Sequence, residues 1–176
     1  MTSHSHLDPL RESLPEQARD LKVNLQNVLQ ESSLTPEQRW GVAVACGLAS
    51  RNPRLAQVLL DQARESVGAG VIDDARAAAA LMAMNNVYYR SKHMLAAEYQ
   101  SLPARLRMTR IAKPATNKLD FELMCLAVSA INGCERCILA HERTVRDGGM
   151  TAEHVHDAIR IAATVQGVAV GLELGV

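Results

Sequence analysis

The stretch Gly133-Cys134-Glu135-Arg136-Cys137-Ile138-Leu139-Ala140-His141 reads as a turn that breaks into a helix. With a helix starting at Gly133 or Cys134, the residues Cys134, Cys137 and His141 stand at i, i+3 and i+7. That spacing stacks two thiols and an imidazole on one face, while Glu135, Arg136 and Glu142 point elsewhere. Just upstream runs Phe121-Glu122-Leu123-Met124-Cys125-Leu126-Ala127-Val128, an apolar segment holding a single carboxylate. A carboxylate in such surroundings needs a buried partner or a chemical role. Glu122, Cys134, Cys137 and His141 are therefore read as one thiol-redox site on two successive helices.

Working outward, the same helical periodicity recurs along the chain. Apolar residues at helical spacing run from Leu14 to about Leu29. Thr35-Pro36-Glu37-Gln38 is a helix start, with Thr35 as cap, Pro36 in the first position and Gln38 three residues on. That helix reaches about Ala49, and Asn52-Pro53 opens another that reaches about Ser66. Gly68 and Gly70 are expected to end it, and Asp73 or a neighbour to cap a helix through Ala77-Ala78-Ala79-Ala80 to about Arg90. Ser91 to Gln100 continues as helix or as a broken second piece, and a short segment near Leu106-Arg107-Met108 lies between loops. Gly148-Gly149 stops the helix of the central stretch. Thr151 caps the last one, with Glu153 close behind, and that helix carries Val155, Ile159, Ala162, Ala163 and Val170. No alternating strand pattern is present.

The fold class is all-α, a compact helical bundle. Residues 1–176 make one domain, built either as a single unit or as two degenerate helical repeats. A slide of 84 places Ala43-Val44 on Ala127-Val128 and Leu55-Ala56 on Leu139-Ala140. It sets Gln38, Ser50, Pro53 and Gln57 opposite Glu122, Cys134, Cys137 and His141. Residues 1–100 would then be a chemically silent half, and residues 101–176 the half that carries the site.

Nineteen basic residues balance nineteen acidic ones, with pI about 7.0. No lysine/arginine block offers a footprint for nucleic acid or an anionic membrane. The polar leader Met1-Thr2-Ser3-His4-Ser5-His6 lacks the basic-then-apolar order of a signal peptide, and no run is long enough to span a membrane. The expected location is the cytoplasm, where a close cysteine pair points to redox catalysis or metal binding.

Disulfide exchange and peroxide reduction require a thiolate, and a free cysteine titrates near ~8.5. A helix N-terminus, with unpaired N–H groups and partial positive charge, stabilises that anion. Cys134 sits at this end. Cys137 lies four residues before His141, whose imidazole can take its proton. Arg136 adds positive potential between the two. Helical i, i+3 positions have Cβ atoms roughly 5–6 Å apart, so a disulfide closes with a small distortion. Glu122 approaches His141 if the two helices pack antiparallel. The same four side chains are also zinc-ligand types, although no second ligand pair follows. Cys46 and Cys125 have no partner at useful spacing and read as core, and His154 and His156 read as surface.

At these residues the chain resembles the alkyl hydroperoxide reductase D (AhpD) family, within the carboxymuconolactone decarboxylase-like superfamily. The family pattern E-x11-C-x2-C-x3-H is met by Glu122, Cys134, Cys137 and His141. Ala127-Val128-Ser129-Ala130-Ile131-Asn132-Gly133-Cys134, Met84-Asn85-Asn86-Val87-Tyr88-Tyr89-Arg90 and Leu106-Arg107-Met108 match as well. The resemblance implies an all-helical fold, a homotrimer, and an antioxidant peroxidase that acts on organic hydroperoxides through a CxxC disulfide. It implies that Cys137 is attacked by the peroxide and passes through a sulfenic acid. Cys134 would resolve it to the Cys134–Cys137 disulfide or act as proton donor, and Glu122 and His141 would form the proton relay. No bound cofactor is implied. Electrons would come from a dihydrolipoyl group on a lipoyl-bearing 2-oxoacid dehydrogenase component, and the peroxiredoxin AhpC would be re-reduced in turn.

One departure is Arg136, which stands where some members carry a histidine that joins the relay. Arginine does not shuttle protons near neutral pH, so its help here would be electrostatic only. Alternatives are a decarboxylase or lactonase of the wider superfamily, whose members lack the CxxC, and a thiol-based redox sensor or zinc-binding interaction protein. A thioredoxin-like enzyme is set aside, because its CxxC follows a strand.

Overall fold

Two helices whose residues are apolar on almost every side form the centre of the molecule. They are α3 (Pro36–Ala49), buried continuously from Trp40 to Gly47, and α8 (Lys118–Ile131), buried continuously from Phe121 to Ser129. They pack closely: a Cβ on Gly41 would collide with Cε of Met124. The structure is a computed structural model that describes residues 5–174, so the first four residues of the polar leader lie outside it. The other helices are α1 (Leu7–Glu12), α2 (Arg19–Gln30), α4 (Pro53–Ser66), α5 (Ala69–Met94), α6 (Ala97–Gln100), α7 (Thr109–Ala112), α9 (Glu135–Asp147) and α10 (Ala152–Glu173). The described residues contain no strand, and no helix among them is long and apolar enough to cross a membrane. Around the central pair, α4 packs on α3, α9 on α8 and α5, α10 on α2, α3 and α8, and α5 on α3 and α8.

Local chemistry sets the helix starts. Thr35 Oγ1 accepts the Gln38 N–H while Gln38 Oε1 accepts the Thr35 N–H, the expected reciprocal box, with Pro36 next. Asn52 caps α4 by accepting from Leu55 N–H at 2.9 Å, and Asn117 caps α8 by accepting from Asp120 N–H at 2.9 Å. Thr151 caps α10 together with His154, whose ring Nδ1 accepts the Thr151 N–H, so half-buried His154 has a structural partner while His156 is exposed.

The same succession of helices occurs twice. Pro36 and Lys118 open helices of 14 residues each, and Pro53 and Glu135, at the same offset of 82, open helices of 14 and 13. The preceding turn residues, Arg51 at φ 61° and Gly133 at φ 63°, share the left-handed conformation. The offset is thus 82 rather than 84, because caps and turns set the register and scattered identities in an alanine-rich chain do not. Trp40, Asn52, Leu55 and Leu59 therefore stand opposite Glu122, Cys134, Cys137 and His141.

Each copy also ties down the entry to the other. On α5, the Asp74 carboxylate accepts from the Ala115 N–H (2.7 Å), the Thr116 N–H (2.8 Å) and the Thr116 hydroxyl (2.7 Å), just ahead of α8. On α10, Asp157 accepts from the Ser33 N–H (2.7 Å) and hydroxyl (2.8 Å) and from the Ser32 hydroxyl (3.2 Å), just ahead of α3.

These contacts explain where the structure departs from expectation. Gly68 is the N-cap of α5 and Gly70 lies in its first turn, while Asp73 sits inside the helix, paired with Arg110. The acidic residues of this segment serve Arg110 and the 115–116 loop instead of capping their own helix. On α10, Val155, Ala158, Ile161, Ala162, Val165 and Val168 face the core, on the same side as Asp157. Ile159, Ala163 and Val170 are exposed. The long helix α5 ends at Met94, and the short piece α6 follows as a separate turn.

Candidate active site

The site is built where α9 starts, against α8 and α5. Helix α9 begins at Glu135, one or two residues later than the starts at Cys134 or Gly133 that the sequence suggested, and Cys134 occupies its N-cap position. Gly133 provides the left-handed turn that a β-carbon disfavours. Its neighbours hold the turn in place: the Cys134 N–H donates to the Ser129 carbonyl at 3.1 Å, and the Cys137 N–H to the Cys134 carbonyl at 3.0 Å.

Cys134 and Cys137 form a disulfide with Cα atoms 5.3 Å apart. The two sulfurs are not equivalent. Cys134 is fully enclosed, whereas Cys137 retains 6% exposure and lines a cavity of about 260 Å³. His141 shares that cavity with Arg136 and Ala140 of α9 and with Asn85 and Tyr89 of α5. Met108 and Ile111, at α7, close it with apolar surface. The first turn of α9 directs unpaired N–H groups and partial positive charge toward the cysteine pair, favouring whichever sulfur becomes an anion on reduction.

The buried carboxylate of α8 has the partner that its surroundings demand. His141 Nδ1–H donates to Glu122 Oε2 at 2.6 Å, with both side chains largely buried. A carboxylate only accepts, so this bond places the proton on Nδ1 and leaves the Nε2 lone pair free as an acceptor. Helices α8 and α9 thus bring together all four residues read from the sequence. Arg136 reaches the cavity from the exposed side of α9.

Cys46 and Cys125 are free and completely buried. Burial pushes both thiols well above the ordinary range, with the Glu122 and Asp74 carboxylates adding to the effect at Cys125. Neither supplies a thiolate at neutral pH. Among the described residues, no three His, Cys, Asp or Glu side chains converge as a metal site.

Sequence reasoning did not assign the polar residues of α5. Asn86 Nδ2–H donates to Ser129 Oγ at 2.9 Å, and its Oδ1 accepts from Asn132 Nδ2–H at 2.9 Å. Arg90 Nη1–H donates to the Asn132 carbonyl. This network clamps the end of α8 and the Asn132-Gly133 turn from which Cys134 emerges. Two adjacent asparagines inside an alanine-rich helix were the available signal, since asparagine is a poor helix former without a local partner.

The model of the carboxymuconolactone decarboxylase family matches residues 97–172, the part of the chain that holds the site. The alkyl hydroperoxide reductase AhpD of Anaeromyxobacter dehalogenans (strain 2CP-C) is 60% identical over 169 residues, covering 96% of this chain and 91% of the relative. The protein of the same name from Anaeromyxobacter sp. (strain Fw109-5) is 55% identical over 172 residues, or 97% and 93% of the two chains. That of Brucella abortus (strain 2308) is 46% identical over 168 residues, or 95% and 96%. With identity this high along nearly its whole length, and a cysteine pair sharing one cavity with a Glu–His pair, the chain belongs to the AhpD family.

Proposed function

We propose that the chain is an alkyl hydroperoxide reductase that works through the Cys134–Cys137 dithiol. The observation that carries this reading is the arrangement around one cavity: Cys137 at its wall, the enclosed Cys134 bonded behind it, and the Glu122–His141 pair beside it. In the reduced protein, His141 takes the Cys137 proton and Glu122 stabilises the imidazolium that results. The Cys137 thiolate attacks the terminal oxygen of R–O–OH. The S–O bond forms, the O–O bond breaks, and the alkoxide leaves and takes a proton to become the alcohol. The Cys134 thiol then displaces water from the Cys137 sulfenic acid and regenerates the disulfide. Arg136 contributes only positive potential at the cavity mouth.

A dithiol must return two electrons and two protons to the disulfide. We assign this role to a dihydrolipoyl group carried by a 2-oxoacid dehydrogenase component, and propose that the reduced pair in turn re-reduces the peroxiredoxin AhpC. The protein itself would hold no cofactor and would act in the reducing cytoplasm. Exposed apolar residues along the second half of α5 and beyond, Val87, Met94 and Leu102 among them, suit a homotrimer interface. Purified protein supplied with cumene hydroperoxide and dihydrolipoamide should consume both in equal amounts. Oxidation of dihydrolipoamide no faster than in a protein-free control would overturn the reading.

A further inference from the structure

Asn85 and Asn86 are adjacent on α5 and both buried, at 4% and 1% exposure, yet their carboxamides fare differently. Asn86 is bonded at both ends. Asn85 Oδ1 is buried and has no hydrogen-bond partner among the described residues. An orphaned buried acceptor is destabilising, and asparagine in a helix interior is a poorer choice than the alanines around it. A residue that weakens the fold in two ways calls for a different explanation, and Asn85 lines the cavity shared by Cys137 and His141.

We propose that Asn85 is a substrate-binding residue whose carboxamide holds the peroxide group of an organic hydroperoxide over Cys137. This rests on the peroxidase reading above. A hydroperoxide presents one O–H donor and two acceptor oxygens, and a carboxamide offers the complementary pair, a carbonyl acceptor and an N–H donor. Met108 and Ile111, which line the same cavity, meet the organic part. When the Cys137 thiolate takes the terminal oxygen, the bonding pair of O–O passes to the inner oxygen. An N–H already directed at that oxygen stabilises the developing alkoxide until a proton relayed through His141 converts it to the alcohol.

The test uses the full chain, reduced and freed of reductant, with Asn85→Ala and Asn85→Ser beside the wild type. The second-order rate constant for oxidation by cumene hydroperoxide is measured by stopped flow. The pH profile of Cys137 alkylation by iodoacetamide, the rate of disulfide reduction by dihydrolipoamide and the Tm are recorded for each. The expected result is a rate constant lower by roughly 10²-fold in Asn85→Ala and partly restored in Asn85→Ser. The alkylation profile and the reduction rate should be unchanged, and Tm unchanged or raised because an orphaned acceptor is gone. An unimpaired Asn85→Ala beside an active wild type overturns this proposal alone. So does a rate loss matched by a shift in the alkylation profile, or a Tm that falls in both variants. A wild type inert to the peroxide overturns the peroxidase reading with it.

Discussion

The α3–α4 pair and the α8–α9 pair have nearly the same lengths, the same kind of connecting turn and the same tie to a buried aspartate from the opposite copy. What differs is what fills the matching positions. Where one pair holds Glu122, Cys137 and His141, the other holds Trp40, Leu55 and Leu59, all buried in the core. Where one helix is capped by the Asn52 side chain, the other has Cys134 at its N-cap, its sulfur tied to Cys137. The scaffold needs only a filled interior and a satisfied helix start. The same backbone therefore accepts apolar packing in one copy and a polar, reactive set in the other, provided that the reactive set satisfies its own hydrogen bonds, as Glu122 and His141 do.

Exchanging the matching residues should separate the two roles. His141→Leu, which writes Leu59 into the second copy, and Glu122→Gln should each lower peroxide turnover by roughly 10²–10⁴-fold. Leu59→Ala should lower stability by about 2–5 kcal/mol in denaturant melts while kcat per folded molecule is retained. If His141→Leu kept full turnover, or Leu59→Ala removed activity from folded protein, the division between scaffold and chemistry would fail.

A smaller effect is expected at the shared ties. Burial pushes the Asp74 and Asp157 carboxyls up, but it is outweighed. The bonds from Ala115 and Thr116, with Arg110 nearby, hold Asp74 below its ordinary range, and the bonds from Ser33, Arg160 and Ser32 do the same for Asp157. A carboxyl depressed in the folded state contributes stability that is fully present above its ordinary value of ~3.9 and is lost as pH falls through the lower folded value. Thermal melts from pH 5 downward should therefore show a steeper loss of Tm in the wild type than in Asp74→Asn or Asp157→Asn, whose curves start lower and run flatter. Parallel curves would remove these two groups from the account of acid stability.

Much of this was legible before any coordinates. A carboxylate inside an apolar run, and thiols and an imidazole at i, i+3 and i+7, state a local geometry directly. Glu122 and His141 did meet, because the short Asn132-Gly133 turn leaves α9 little choice but to fold back on α8. The caps at Thr35 and Thr151 and the helix opening at Asn52-Pro53 were equally direct, since each cap needs only a residue three positions away. What the sequence concealed depends on distant partners. Asp73 and Asp74 looked like caps because their real partners, Arg110 and the 115–116 loop, lie about forty residues on. Which apolar residues of α10 face inward was not legible, because alanine and valine occur all round that helix; Asp157 lies on the buried face and bonds to Ser32 and Ser33. Asn86 became meaningful only once Ser129 and Asn132 were seen beside it.

The central claim is that peroxide attacks Cys137 and no other sulfur. Reduced Cys134→Ser protein, treated with one equivalent of cumene hydroperoxide in the presence of dimedone and mapped by mass spectrometry, tests it most directly. The account predicts a dimedone adduct on Cys137, with Cys46 and Cys125 unmodified because both are buried thiols. An adduct on Cys46 or Cys125 in place of Cys137, or none while the peroxide is still consumed, would contradict it.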